Sequence, residues 1–198
     1  MELLGTMRPD APLLVVAVHL EAEHLHTEHP VLVCGVGKVA ASTALLSALA
    51  HTPREFWPSK VINVGTAGAL KDGMLGTHVI GEVHQHDLDG RAIAALCGID
   101  PTPMLSLGEG PALATGDAFI SDPADRRRLA GMADLCDMEG YAVASAATKI
   151  GLPVTLVKHV SDDADEGAVR TWVESVSACS EALGVWLKSS EGLALIGG

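Results

Sequence analysis

The chain has 198 residues, 48% of them hydrophobic and 19% charged, which is enough apolar material for a full core and excludes disorder, a collagen-like repeat or a disulfide-stapled miniprotein. Against 25 Asp and Glu there are only 13 Lys and Arg, a net charge of −12. That balance argues against nucleic acid or an anionic membrane as partner, because phosphate contacts need clustered cations. Four cysteines (Cys34, Cys97, Cys136 and Cys179) lie far apart with no CxxC pair, the pattern of reduced thiols in a cytoplasmic enzyme. No apolar run approaches the ~20 residues of a membrane helix. Residues 11–18 run straight into His19 and Glu21 with no cleavage site, so no signal peptide is expected.

Residues 13–18 are a short, Val-rich apolar run, which predicts a buried strand. A helical turn follows, with Glu21 near its start. Residues 30–36 predict a second strand running into Gly35-Val36-Gly37, and residues 38–50, rich in Ala and Leu, predict a helix. A third strand is expected over 60–64, ending in glycines (Gly65, Gly68), and a fourth over 77–83. Residues 84–110, with Pro101, Pro103 and several glycines, read as loop with a weak strand. A short apolar run at 112–115 precedes Gly116. Asp122 offers a cap to a helix whose first residue is Pro123. A helix of small residues is expected over 139–149 and a further buried strand over 153–160. From Ala168 on, Val169, Trp172, Val173, Val176, Leu183 and Leu187 mark one face of a long amphipathic helix. The tail, 191–198, is expected to fray. This alternation predicts one α/β domain over 1–198, a three-layer αβα sandwich with a mostly parallel or mixed central sheet.

In such sheets ligands bind at the carboxyl ends of strands. Glu21, the glycine turn at 35–37, the glycines at 65 and 68, Ser161-Asp162 and Asp137-Met138-Glu139 all fall at such ends, so one crevice is expected to collect several carboxylates. Gly35-Val36-Gly37-Lys38 fits neither a P-loop nor a full dinucleotide fingerprint, since Leu32, Val39 and Ala40 stand at the diagnostic positions. A tight strand-to-helix turn remains. The histidines at 24, 26 and 29 and those at 84 and 86 are read as solvated polar faces rather than metal ligands, and Arg126-Arg127-Arg128 as the outer face of a helix. The run Ser161-Asp162-Asp163-Ala164-Asp165 carries three carboxylates in four residues. Like charges raise one another's pKa, the push an aspartic acid needs to act near neutrality.

Six segments in this order resemble the nucleoside phosphorylase/nucleosidase superfamily, above all the 5′-methylthioadenosine/S-adenosylhomocysteine nucleosidases. They are residues 17–21, Gly35-Val36-Gly37-Lys38-Val39-Ala40-Ala41, Asn63-Val64-Gly65-Thr66-Ala67-Gly68, Gly116-Asp117-Ala118-Phe119-Ile120, Asp137-Met138-Glu139 and residues 160–165. The resemblance covers nearly the whole chain and implies a phosphorylase/hydrolase-like fold and no cofactor or metal. It assigns Asp162 as the acid that protonates the purine, oriented by Ser161, and Glu21 as the base that takes a proton from water. Glu139 would hold the ribose hydroxyls and Met138 pack on the sugar. Phe119 would stack on the base, whose edge the Ile120 backbone reads. Thr66 and Ala67 belong to the turn beside sugar and nucleophile, and Trp172 to the 5′ side of the ribose. A homodimer is the family's usual assembly.

The implied activity is that of a purine-nucleoside N-ribohydrolase acting on methylthioadenosine, S-adenosylhomocysteine or a related 5′-modified nucleoside such as futalosine. The rival readings are a purine nucleoside phosphorylase and a non-catalytic nucleoside-binding protein. Phosphorylases of the superfamily place an Arg where this chain has Asn63, and a phosphate dianion without a guanidinium is poorly neutralised. Lys38 is the one nearby cation, either free to offer a charge or facing solvent. Relative to typical members the chain is shortened between 84 and 110, the region that shapes the 5′ pocket.

Overall fold

The computed structural model describes residues 1–197. β1 (Glu2–Leu4) and β2 (Leu13–Val16) come first, then a single turn of helix, α1 (His19–Ala22), and β3 (Val31–Val33). The glycines at 35 and 37, both in the left-handed region, turn the chain into α2 (Lys38–Ala50), and β4 (Val61–Ala69) follows. Next are β5 (Thr77–Val79), β6 (Glu82–Gln85), α3 (Gly90–Cys97), β7 (Leu105–Ser106) and β8 (Ala112–Thr115). The chain closes with α4 (Pro123–Leu129), β9 (Leu135–Asp137), α5 (Gly140–Lys149), β10 (Val154–Asp162), α6 (Ala168–Leu187) and α7 (Ser190–Gly197).

All ten strands join one mixed sheet in the order β1-β3-β2-β4-β9-β8-β6-β7, with β10 on the other edge of β4 and β5 on β10. β2 is parallel to β3 and β4, β10 to β4, and β8 to β6 and β9; the remaining pairs are antiparallel. Strand side chains alternate between two buried faces, as a sheet covered on both sides requires. Leu13, Val15 and Val61 pack toward α2 and α5, whereas Leu14, Val16, Ile62 and Val64 pack toward α6. A smaller cluster around Leu129, Ala114 and Ile120 seats α4.

Several expectations are corrected. The third strand does not stop at its glycines but continues to Ala69, because β10 pairs along it from Val61 to Gly68. The fourth is two strands, broken at Ile80-Gly81. The presumed loop at 84–110 holds α3, which has an Asp89 cap and a left-handed Gly98 at its end, and β7. The tail is helical from Ser190 rather than frayed, and its last residue, Gly198, lies outside the described residues. On α6, Val176, Leu183 and Leu187 are buried, but Val169 and Val173 are 58% and 64% exposed. β9 is three residues long and was not anticipated.

The crevice originates on β4. Its residues 61–63 pair with β2 and its residues 68–69 with β9 on the same edge, so residues 64–67 have no strand beside them there.

Candidate active site

Glu21 fills that gap. α1 begins two residues after β2 ends, which swings the Glu21 carboxylate over the bare edge of β4, where it is 5% exposed. Its Oε1 accepts the Thr66 backbone N–H at 2.8 Å and the Thr66 hydroxyl at 2.9 Å, and its Oε2 accepts the Ala17 N–H at 2.9 Å. A buried carboxylate thus receives the strand amide that pairing leaves over. A Cβ at position 65 would stand 3.0 Å from Oε1, so glycine there lets the carboxylate sit close against the strand.

Asp162 lies at the far end of β10, where the register against β4 shifts between Val160 and Asp162. Oδ2 accepts the Ser161 hydroxyl at 2.7 Å and Oδ1 accepts the Ala164 N–H at 2.9 Å. To donate that bond Ala164 adopts φ +48°, a left-handed conformation that costs a non-glycine residue about 1–2 kcal/mol. Burial pushes the Asp162 carboxyl above the ordinary range, and Asp163 and Asp165 push the same way, against the two hydrogen bonds. Desolvation outranks the like charges that the sequence brings to mind.

Glu139 caps the start of α5 directly after β9, and its Oε1 accepts the Gly37 N–H at 2.7 Å. Burial, then the neighbouring Asp137, raise it to about 8, while Lys158 and the Gly37 amide pull in the opposite direction. Lys158 is the buried charge behind the site that sequence reasoning missed. It sits on β10 with its side chain 2% exposed, and its Nζ donates to Asp137 Oδ2 at 2.8 Å. Burial opposes the ammonium charge, but Asp137, Glu139 and Glu21 outweigh it and hold its pKa above the usual lysine value. Asp137 also accepts the Gly140 N–H at 2.7 Å and the Thr115 hydroxyl, so it is fully engaged. A lysine inside an apolar strand buried on both faces must have a buried partner. That was the available signal.

Glu21, Asp162 and Glu139 border one cavity of about 410 Å³, together with Met138, Phe119, Ile120, Ser161, Thr66, Ala67 and Trp172. All ten sequence-predicted site residues meet there. Val169 and Val173, expected on one apolar face of α6 with Val176 and Leu183, line its mouth with Val36.

The glycine turn is not a phosphate cradle. Its Gly37 amide goes to Glu139, and the Lys38 amide donates to Asp117 Oδ1 at 2.8 Å. The Lys38 ammonium, expected to be free or solvated, is 14% exposed and bridges Asp87 and Asp117, which hold it protonated against the cost of burial. Arg126, expected on a solvated face, donates to the Ala69 carbonyl at 3.2 Å and pairs with Asp72. His24 meets Ser177, His84 meets Glu82, and His86 packs over Gly116. Among the described residues no group of three or more His, Cys, Asp or Glu side chains is arranged to hold a metal ion.

Three carboxylates meet at the strand ends of this mixed sheet, and known proteins share its fold. Residues 109–184 match the family model of the phosphorylase superfamily. The 5′-methylthioadenosine/S-adenosylhomocysteine nucleosidase of Shewanella oneidensis is 34% identical over 158 residues, covering 66% of this chain and 65% of the relative. The chain thus spans just under two thirds of that relative's length. Two solved structures share the fold. The futalosine hydrolase of Helicobacter pylori superposes with a TM-score of 0.78 at 19% identity, covering 91% of this chain and 96% of that one. The 5′-methylthioadenosine/S-adenosylhomocysteine nucleosidase of the same organism, bound to butyl-thio-DADMe-Immucillin-A, gives 0.76 at 21%, covering 89% and 95%. No helix among the described residues is long and apolar enough to cross a membrane.

Proposed function

We propose that the chain is a purine-nucleoside N-ribohydrolase that cleaves the N-glycosidic bond of a 5′-modified purine nucleoside with water. Breaking that bond builds positive charge on the ribose and negative charge on the base, and the cavity offers a group for each. Asp162, made less acidic by burial, gives its proton to the departing purine, with Ser161 orienting it. Glu21 takes a proton from the attacking water. Glu139 accepts the ribose hydroxyls, Met138 packs on the sugar, and Phe119 and the Ile120 backbone hold the base. Thr66 and Ala67 floor the nucleophile side, and Trp172 walls the 5′ end.

The observation that carries water over phosphate is the engagement of the Gly37 and Lys38 amides and of the Lys38 ammonium. The amides of the glycine turn are taken by Glu139 and Asp117, and Lys38 is neutralised by two aspartates. No arginine lines the cavity, while four carboxylates do. Lys158 is already paired with Asp137 and Lys38 with two aspartates, so a phosphate dianion would find neither cation free to neutralise it. The substrate is methylthioadenosine, S-adenosylhomocysteine or a relative such as futalosine, and nucleosidases and a futalosine hydrolase are among the proteins this chain resembles. The test is base release from these nucleosides, adenosine and inosine in phosphate-free buffer. Free base with no phosphate added is expected; strict dependence on phosphate would replace this reading by a phosphorylase. Tight nucleoside binding with no free base would replace it by a binding protein.

The same reading takes residues 1–198 as one nucleoside-binding domain acting as a homodimer. α2 supports the dimer: Val36, Val39, Thr43, Leu46 and Ala50 form an exposed, mostly apolar stripe that begins at the cavity mouth. Four free thiols, three of them buried, suit the reducing cytoplasm.

A further inference from the structure

Trp172 lies in the second turn of α6 and its ring borders the cavity, but its edge is also tied down. The indole Nε1–H donates to Thr66 Oγ1 at 2.9 Å. An indole nitrogen can only donate, so the Thr66 hydroxyl accepts there and must send its own hydrogen elsewhere. The acceptor is Glu21 Oε1, 2.9 Å away. Oε1 also accepts the Thr66 amide at 2.8 Å, so both of its lone-pair directions are used. Oε2 accepts one hydrogen, from Ala17, and keeps one lone pair free.

We propose that Trp172 is a positioning residue for the proposed general base: through Thr66 it saturates Oε1 of Glu21 and leaves Oε2 as the oxygen that takes the proton from water. A threonine hydroxyl is otherwise a free rotor. Released from the indole, it can turn its hydrogen toward the nucleophilic water and weaken it as an attacking group, and Oε1 then competes for the same proton. An aromatic ring without an N–H builds the same wall but leaves the rotor loose. The relay Trp172–Thr66–Glu21 links a helix following the last strand to a carboxylate that follows the second, across 106 and 45 residues of sequence respectively. This inference rests on the reading of Glu21 as the base.

The experiment is a steady-state comparison of Trp172→Phe, Thr66→Val, Thr66→Ser and the Trp172→Phe/Thr66→Val double variant, each checked for wild-type melting, with Glu21→Gln beside them. Removing one hydrogen bond from the relay is expected to lower kcat roughly 5- to 10-fold in Trp172→Phe, with KM moved less than about twofold. Thr66→Val should lower kcat at least as far, because Oε1 loses a donor. Thr66→Ser, which keeps the hydroxyl, should recover most of what Thr66→Val loses. The double variant should be no worse than Thr66→Val, since both changes break one chain. A Trp172→Phe variant with raised KM and intact kcat would reduce the indole to a wall, and additive losses would show two independent contributions; either overturns the relay. An active Glu21→Gln variant would instead overturn the assignment of the base itself.

Discussion

At the scale of single residues, the acid is the most exposed part of the mechanism to test. Asp162→Asn keeps the size of the side chain and an oxygen able to accept from Ser161 or Ala164, but has no proton to give. Turnover should fall about 10²–10⁴-fold, measured as free-base release. Because burial raises the folded carboxyl above its unfolded value, the ionised form costs stability once pH exceeds that unfolded value. Asn removes the cost, so the variant should melt no lower than wild type at neutral and alkaline pH. Lys158 behaves in the opposite way. Lys158→Met leaves Asp137 buried without its cation and should lose about 3–5 kcal/mol in urea unfolding, much of it restored by adding Asp137→Asn. Glu21, Glu139 and Asp162 were legible because each stands at a strand end in a recognisable segment. Lys158 was not, because one lysine among Leu, Val and His reads as a break in the apolar pattern rather than as half of a buried pair.

At the scale of elements, the long strands and helices were legible because their apolar patterns are long. α2 has the expected bounds, and α4 starts at the expected Pro123. What failed has physical reasons. Three-residue β9 is too short to show a period, and it is stable only because β4 and β8 flank it. α3 carries its cap and its terminal glycine openly, but it is eight residues long, set among prolines and glycines, and none of its residues is buried. The exposed valines of α6 continue the apolar face of its buried residues because a cavity wall and a core face use the same residue types. Helix α6 also depends on a glycine the period does not reveal: a Cβ at Gly184 would stand 2.2 Å from the His24 carbonyl oxygen, at the end of the α1 segment that carries Glu21. Gly184→Ala should therefore force α1 and α6 apart, costing about 1–3 kcal/mol in unfolding free energy and lowering kcat through the displaced base.

At the scale of the whole molecule, the fold class followed from the alternation of strands and helices, and the single mixed sheet agrees with it. The α2 stripe did not follow from it, since an apolar residue facing solvent and one facing the core look alike in sequence. If that stripe joins two copies, Val39→Glu or Leu46→Glu should halve the mass seen by sedimentation and weaken turnover, because Val36 of the same stripe borders the cavity. A wild-type monomer at working concentration would remove the dimer. The bare stretch of β4 has a wider meaning. Gly65 lies under one carboxylate and Gly68 under the other, so three residues of extended backbone, about 10 Å of rise, hold the two ends of the chemistry apart. That span is a property of peptide geometry, with no hinge or loop inside it to lengthen or shorten it. Changes of substrate under the proposed reaction would therefore fall to the rim, where valines and an indole can be exchanged, while the distance between the two carboxylates is kept.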